Sequence, residues 1–260
     1  MNMASSSSVL FFFVAASFLL LVPSLASEKR KVAEESNLGV ENASLCSSGK
    51  SQSPIDIITS ETFINKSLEP LTRNYHVFNA SLLTDGKHLQ VPFSVRGGLI
   101  IDGKTYNLKQ MHWHTPSEHR INGIQYAAEL HEVHIAADGS ATVVGILFEE
   151  GPPSPLLTML KPQLDELAKK PCEGPQEEVA VPTFASSFLR RRPRRYYRYM
   201  GSLTTPPCTE KVLWNVLAKV KTISKDQVAL LKATVCGANK ENARPTQPLN
   251  GRIVQKYDGN

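Results

Sequence analysis

Apolar and polar positions alternate along most of the chain in short runs broken by turn signals. Leu99-Ile100-Ile101, for example, runs into Asp102-Gly103. Runs of this length and period predict β-strands. Helical spacing of apolar residues is convincing at only two places, 155–169 (PLLTMLKPQLDELAK) and 225–232 (KDQVALLK). No glycine- or serine-rich linker and no internal repeat divides the chain. The pattern predicts one β-rich domain with a few short surface helices.

The same alternation gives one window its chemical meaning. Residues 109–134 hold five of the seven histidines of the chain: His112, His114, His119, His131 and His134. If 109–115 is a strand, His112 and His114 share a face with Gln110. If 125–135 is a second strand, His131 shares a face with Glu129 and Val133. TPSEHRING lies between them and carries Pro116 and the turn pair Asn122-Gly123. A hairpin or near-hairpin of this kind sets His131 opposite His112 and His114. Three imidazoles with a fourth position left to solvent match a catalytic zinc site more than a structural one. Copper and nickel also accept neutral imidazole. Gln110 and Glu129 stand where they can accept the second N–H of a ligating ring. A lone His-x-His is more often a packing or surface feature; the third histidine, the glutamate and the glutamine shift the balance. His119 and His134 need not be ligands. His134 is out of phase with His131, which suggests a structural hydrogen bond.

The first residues change the picture of where the chain works. An apolar run of about fourteen residues, 9–22, is too short to span a bilayer, which needs about twenty. It ends at Pro23 and a small-x-small pattern, Ser24-Leu25-Ala26. Residues 1–26 therefore read as a secretory signal peptide, although no Lys or Arg precedes the apolar run. No later segment is long and apolar enough to cross a membrane, so no stable membrane insertion is expected. Three Asn-x-Ser patterns, at Asn42, Asn65 and Asn79, fit glycosylation on that route. So do four cysteines, Cys46, Cys172, Cys208 and Cys236, which imply at least one disulfide. Spacing alone leaves three full pairings open. The net charge is +5. Its concentration, RRRPRRYYR at 190–198, reads as a solvated loop followed by a strand, with no nucleic-acid partner expected for a secreted chain.

MHWHTPSEH, YAAELHEVH, GSLTTPPCTE and NARPTQPLNGR, with QSPIDI at 52–57, resemble the α-class carbonic anhydrases, above all the secreted plant members. The resemblance runs in order from about Cys46 to about Arg252. It implies a single domain at 46–253 built on a large, twisted, mostly antiparallel sheet. It also implies reversible hydration of carbon dioxide to bicarbonate by zinc-bound hydroxide. The Zn(II) ligands carry over as His112, His114 and His131. Their supporting partners carry over as Gln110, Glu129 and the backbone carbonyl of Asn242. Thr204 matches the family's gatekeeper, paired with Glu118, and Thr205 would help place bicarbonate. Val133, Val143, Leu203, Val212 and Trp214 match the apolar wall beside carbon dioxide. Cys46 and Cys208 match the disulfide of extracellular members, which would close a loop of about 160 residues, worth at most about 4–5 kcal/mol on a chain-entropy argument.

Two departures stand out. The family commonly carries a proton-shuttling histidine in an Asn-x-Gly-His context; this chain reads TDGKHLQV at 84–91. Lys87 takes the shuttle position and His88 follows it. On a strand His88 would face the opposite way; a local bulge or an alignment slip of one residue would restore it, which leaves His88 a candidate proton shuttle. The family's aromatic segment before the first cysteine includes a tyrosine bonded to the gatekeeper threonine, and 27–45 contains no aromatic residue. That stretch reads as a polar tail, and 254–260 as a second short tail. Cys172 and Cys236 inherit no role and remain open to a second disulfide, free thiols or a link between chains. Two rivals stand beside the enzyme: a catalytically weak storage or binding protein on the same scaffold, and a surface-binding module using 190–198. The final compartment remains open between cell wall, vacuole and plastid, as does oligomeric state.

Overall fold

Two dipeptides set two of the tight connections. Asp102-Gly103 (φ 50° and 75°) joins β4, Leu89–Ile101, to β5, Lys104–His114. Asn122-Gly123 (φ 51° and 79°) joins β6, Arg120–Ile121, to β7, Ile124–Gln125. Positive φ at both central residues is what a two-residue hairpin turn demands, and Asn/Asp-Gly supplies it at least strain. The computed structural model describes residues 45–170, 177–182, 184, 187 and 193–259, with side chains at 77–79 and 94–96 left out.

The remaining strands are β1, Asp56–Ile57; β2, Phe63–Ile64; β3, Thr72–Thr84; β8, Ala128–Ala136; β9, Ala141–Glu150; β10, Glu177–Val181; β11, Tyr196–Ser202; β12, Glu210–Leu217; β13, Lys221–Ile223; and β14, Gln255–Tyr257. One sheet of 11 strands runs β10-β3-β4-β5-β8-β9-β12-β11-β14-β2, with β13 beside β9. Most of its pairs are antiparallel; β9–β12, β9–β13 and β14–β2 are parallel. A three-stranded sheet, β1-β6-β7, lies apart. The expected β-rich architecture is therefore present as a mixed sheet with antiparallel pairing dominant.

Boundaries differ in instructive ways. The strand expected at 125–135 is Ala128–Ala136, and Ile124–Gln125 belongs to the small sheet. The connection from β5 to β8 thus carries structure of its own rather than a hairpin loop. Residues 255–257, read as part of a tail, pair with β11 and β2. QKY is too short and too polar to announce a strand. The expected tail at 27–45 lies almost wholly outside the described residues.

Helix α1, Pro155–Leu167, buries Leu156, Leu157, Leu160, Leu164 and Leu167 along one stripe. Helix α2, Lys225–Ala233, opens with a capping box between Ser224 and Gln227. Gln227 Oε1 also accepts the Ser154 N–H at 2.7 Å, which ties the two helix starts together. Both helices pack on the larger apolar core, with Leu89, Leu108, Met111 and Trp113 from the sheet. A second core, containing Val143, Val212, Tyr199 and Trp214, lies around the histidine cluster.

Within the larger core a pair of polar rungs joins β3 to β8. Arg73 Nη1 meets Glu132 Oε2 at 2.9 Å, and the Tyr75 hydroxyl meets His134 Nε2 at 2.6 Å. His134 thus has the structural hydrogen bond that its phase suggested. Burial, then the Arg73 charge, push its pKa down to about 3. An unfolded histidine titrates near about 6.5, so between these values the unfolded chain binds the extra proton. The resulting stability is complete above about pH 6.5 and is lost as pH falls toward about 3. Denaturant melts across pH 7 to 4 should show this slope. A His134→Gln variant should show a flatter one, and an unchanged slope would remove His134 as its source.

Candidate metal centre

β5 and β8 pair in a register that sets His112 opposite His131 and His114 opposite Glu129. Alternation puts His112 and His114 on one face of β5, and the cross-strand pair adds His131 to the same face. The three rings stand with centroids 4.7–5.0 Å apart. His114 and His131 are buried; His112 keeps partial solvent contact and is otherwise enclosed by protein.

The outer ring nitrogens are held. His112 Nδ1 lies 2.9 Å from Gln110 Oε1, and His114 Nδ1 lies 3.3 Å from the Asn242 carbonyl. An amide oxygen and a carbonyl can only accept, so each ring carries its proton on Nδ1 and a lone pair on Nε2. His131 is turned the other way, with Nε2 3.0 Å from Glu129 Oε1. That contact has ion-pair distance but lies off the line of a hydrogen bond, since His131 Nε2 has no hydrogen-bond partner. Its Nδ1 faces inward, 3.2 Å from His112 Nε2. His114 Nε2 is buried without a partner. Three inward nitrogens, all within 4.8 Å of one another, form a cluster that can hold a metal ion. The donor chemistry and the orphaned His114 nitrogen fit a borderline divalent ion with room for solvent. A second grouping, His119, Glu129 and His131, has similar spacing. There the carboxylate is consumed by hydrogen bonds, so it reads as support.

Glu129 supplies that support. Its Oε2 accepts the backbone N–H groups of Glu118 (3.0 Å) and His119 (2.8 Å), and Oε1 accepts from His119 Nδ1 at 2.8 Å. Burial opposes its charge, but His119 and His131 outweigh burial and hold its pKa well below the usual carboxylate value. Burial also pushes His112 well below the ordinary histidine value, helped by His114 and His131. It lowers His114 in the same sense against the pull of Glu118. For His131, burial is overcome by Glu129, which raises the pKa.

Behind His119 the chain of bonds continues. His119 Nε2 lies 2.7 Å from the Tyr199 hydroxyl, which lies 2.8 Å from Ser53 Oγ. Burial keeps Tyr199 protonated, its pKa well above 10. Sequence reasoning leaves His119, Tyr199 and Ser53 unassigned. Arg244 is a further omission. Its guanidinium reaches Gln52 Oε1, the Ser53 carbonyl and the Cys46 carbonyl, and its N–H meets Glu118 Oε1 at 2.9 Å.

The other expected residues fall around this centre. Val143, Val212 and Trp214 are buried in the second core, with Val133 and Leu203 packed against it. The Trp214 ring lies 4.8 Å from His131. Thr204 is buried, Thr205 half-buried, on a loop closed by Leu203 N–H to Thr209 O and Cys208 N–H to Thr205 O, both 2.9 Å. No Thr204–Glu118 bond forms: Glu118 Oε2 has no hydrogen-bond partner. Cys46 and Cys208 are joined, Cα–Cα 5.1 Å. Cys236 is also disulfide-bonded, and Cys172 lies outside the described residues. His88 does not sit on a strand, so the strand-phase argument against it fails. It lies in the β3–β4 turn, half-exposed, with Nδ1 3.5 Å from Asp85 Oδ2. Its charge is close enough to bear on His112. Asn65 is half-buried next to β2; Asn79 lies within β3; Asn42 is outside the described residues. In the basic run, Arg194 and Arg195 are exposed, whereas Arg198 turns inward to Asn215 at 2.8 Å.

With this geometry the comparisons with known proteins are direct. The family described as eukaryotic-type carbonic anhydrase matches residues 35–258. Alpha carbonic anhydrase 7 of Arabidopsis thaliana is 40% identical over 214 residues, spanning 82% of this chain and 76% of that protein. The structure of dioscorin complexed with ascorbate aligns at a TM-score of 0.79 and 35% identity, over 86% of this chain and 93% of that one. The α-carbonic anhydrase of Thermovibrio ammonificans, in complex with the inhibitor sulfanilamide, aligns at 0.72 and 35%, over 82% and 90%. The chain belongs to the carbonic anhydrase family, within its α class.

Replacing His112, His114 or His131 by alanine should each reduce bound metal to well under one ion per chain, read by elemental analysis after dialysis. Glu129→Gln should weaken metal affinity by about 10–100-fold while leaving the ligands in place. Full occupancy in any of the three alanine variants would remove that residue from the ligand set.

Proposed function

We propose that the chain catalyses the reversible hydration of carbon dioxide to bicarbonate and a proton, with zinc held by His112, His114 and His131. One observation carries the reading: three imidazole nitrogens, two of them on buried rings, converge beside an apolar wall, each outer nitrogen facing an oxygen acceptor. When bound, zinc supplies Lewis acidity that brings the pKa of a coordinated water to about 7, carbonic anhydrase being itself the standard case.

The protein residues do the rest. Val133, Val143, Leu203, Val212 and Trp214 offer an apolar surface to a gas with no net dipole, which holds it weakly and leaves its carbon open. Glu118 has Oε1 committed to the Arg244 N–H and Oε2 unpartnered. In the working site the unpartnered Oε2 would accept the Thr204 hydroxyl proton, a bond not made in this structure. Thr204 Oγ1 can then only accept, so it orients the attacking solvent oxygen and leaves a lone pair directed at carbon dioxide. The Thr204 N–H stabilises negative charge moving onto the substrate oxygen. Thr205 positions bicarbonate before release. On this reading His88, whose backbone N–H donates to Asp85 at 2.7 Å and whose charge bears on His112, passes the proton outward. The Cys46–Cys208 bond and the disulfide at Cys236 suit an oxidising setting such as the cell wall or vacuole.

A second reading rests on the dioscorin complexed with ascorbate, a protein of similar structure that holds a different small molecule. A binding or storage protein on this scaffold would load zinc and hydrate nothing. Stopped-flow hydration with zinc measured on the same sample separates the two. The enzyme reading expects turnover abolished by a sulfonamide or by chelation; a zinc-loaded, inert protein would favour the second.

With His88 relaying the proton, turnover of the wild-type protein should change little between dilute buffer and added imidazole. His88→Ala should lower it by about tenfold or more in dilute buffer and recover with imidazole. Equal rates for both proteins in dilute buffer would exclude His88 from the relay.

A further inference from the structure

Among the described residues no strand pairs beyond β2, which ends the large sheet, and Asn65 stands immediately after it. Asn65 Nδ2 donates to Gln255 Oε1 at 3.1 Å, and its Oδ1 accepts the Ser67 N–H at 2.9 Å. The first bond puts the Asn65 side chain on the face presented by Gln255. Phe63 pairs with Gln255 in register, as does Arg198, so both share that face. Met200 lies two residues after Arg198 in β11, and Ile253, just ahead of β14, follows Arg252, whose Nη1 donates to the Met200 carbonyl at 2.9 Å. Arg198 on this face is buried and turns inward to Asn215, so the exposed part begins at Met200. Phe63 is 61% exposed, Ile253 67% and Met200 46%. Three large, exposed apolar side chains at this end of the sheet invite association with another chain.

We propose that Asn65 carries an N-linked oligosaccharide, and that this glycan covers the apolar edge formed by Phe63, Ile253 and Met200. Its role is to keep two copies of the chain from associating there. Asn65-Lys66-Ser67 has the acceptor pattern, and the amide has the geometry. Glycosylation consumes one Nδ2 hydrogen; the remaining N–H keeps the bond to Gln255. In the transfer, Nδ2 bonds to the anomeric carbon of a lipid diphosphate-linked oligosaccharide. The bond from that carbon to the phosphate oxygen breaks, the lipid diphosphate leaves, and the amide releases one proton. Of the chain's two other acceptor patterns, one falls on a strand near the far end of the sheet. Asn79 lies inside β3, which has neighbours on both sides, and Asn42 lies outside the described residues.

The test uses the full chain secreted from a eukaryotic host. Peptide mass spectrometry after enzymatic deglycosylation in heavy-oxygen water should mark Asn65 as occupied. Ser67→Ala removes the acceptor pattern while keeping Asn65 and its bond to Gln255. Light scattering on a sizing column should find the glycosylated protein monomeric and the Ser67→Ala protein shifted toward twice that mass with rising concentration. Adding Phe63→Ser and Ile253→Ser to Ser67→Ala should restore the monomer. Enzymatic removal of glycans from the folded wild-type protein gives the same readout without relying on a variant to fold. An unoccupied Asn65 would overturn the proposal. So would a deglycosylated protein that stays monomeric over the same range, or association that survives loss of the two apolar side chains.

Discussion

A single buried carboxylate, Glu129, organises the centre. It is wholly buried and ionised, which would be costly for an isolated charge. Two backbone N–H groups and the His119 ring satisfy it, and the inward-facing His131 lies against it. Those contacts fix the chain at 118–119 against β8. Glu118 is thereby placed beside the histidines, with its N–H engaged and its side chain turned to Arg244. Space for the carboxylate comes from β9. Gly145 pairs with His131, and a Cβ there would stand 2.9 Å from Glu129 Oε1. A side chain at 145 would press on the carboxylate that aims a candidate ligand. Sheet packing and site chemistry are, at this point, one constraint.

The sheet divides labour between its faces. Leu89, Met111 and Trp113 look into the core beneath α1 and α2. His112 and His114 alternate with Met111 and Trp113, so the strand that fills the larger core also carries two inward-facing imidazoles on its other side. The arrangement needs no special backbone for the histidines, only a correct register. A slip of one residue in β5 would send both rings into the apolar core and Trp113 into the cleft.

This explains what is legible in the sequence. Alternation and a His-x-His pair are local, and they suffice to place His112 and His114 on one face. Glu129 with His131 obeys the same rule. Turn pairs such as Asp102-Gly103 are equally local. The contacts that escape are long-range. Tyr199 meets His119 across 80 positions, and Arg244 meets Glu118 across 126. Neither carries a pattern of its own, and Asn242 acts through a backbone carbonyl that any residue possesses. β14 is missed for another reason: three residues with mixed polarity become a strand because β11 and β2 flank them. A strand period says nothing about His88, because it lies in a turn.

The strap from Cys236 to Arg252 is stitched back to the front of the molecule. Cys236 N–H holds the Gly86 carbonyl, Asn242 holds His114, Arg244 holds Cys46, and Arg252 holds Gln52 across 200 positions. During synthesis, a nascent chain released from the ribosome only as far as β12 therefore has its three inward histidines but none of these clasps. The pocket can be completed only in the last stage of emergence, and the early strands must wait, exposed, for their closing partner.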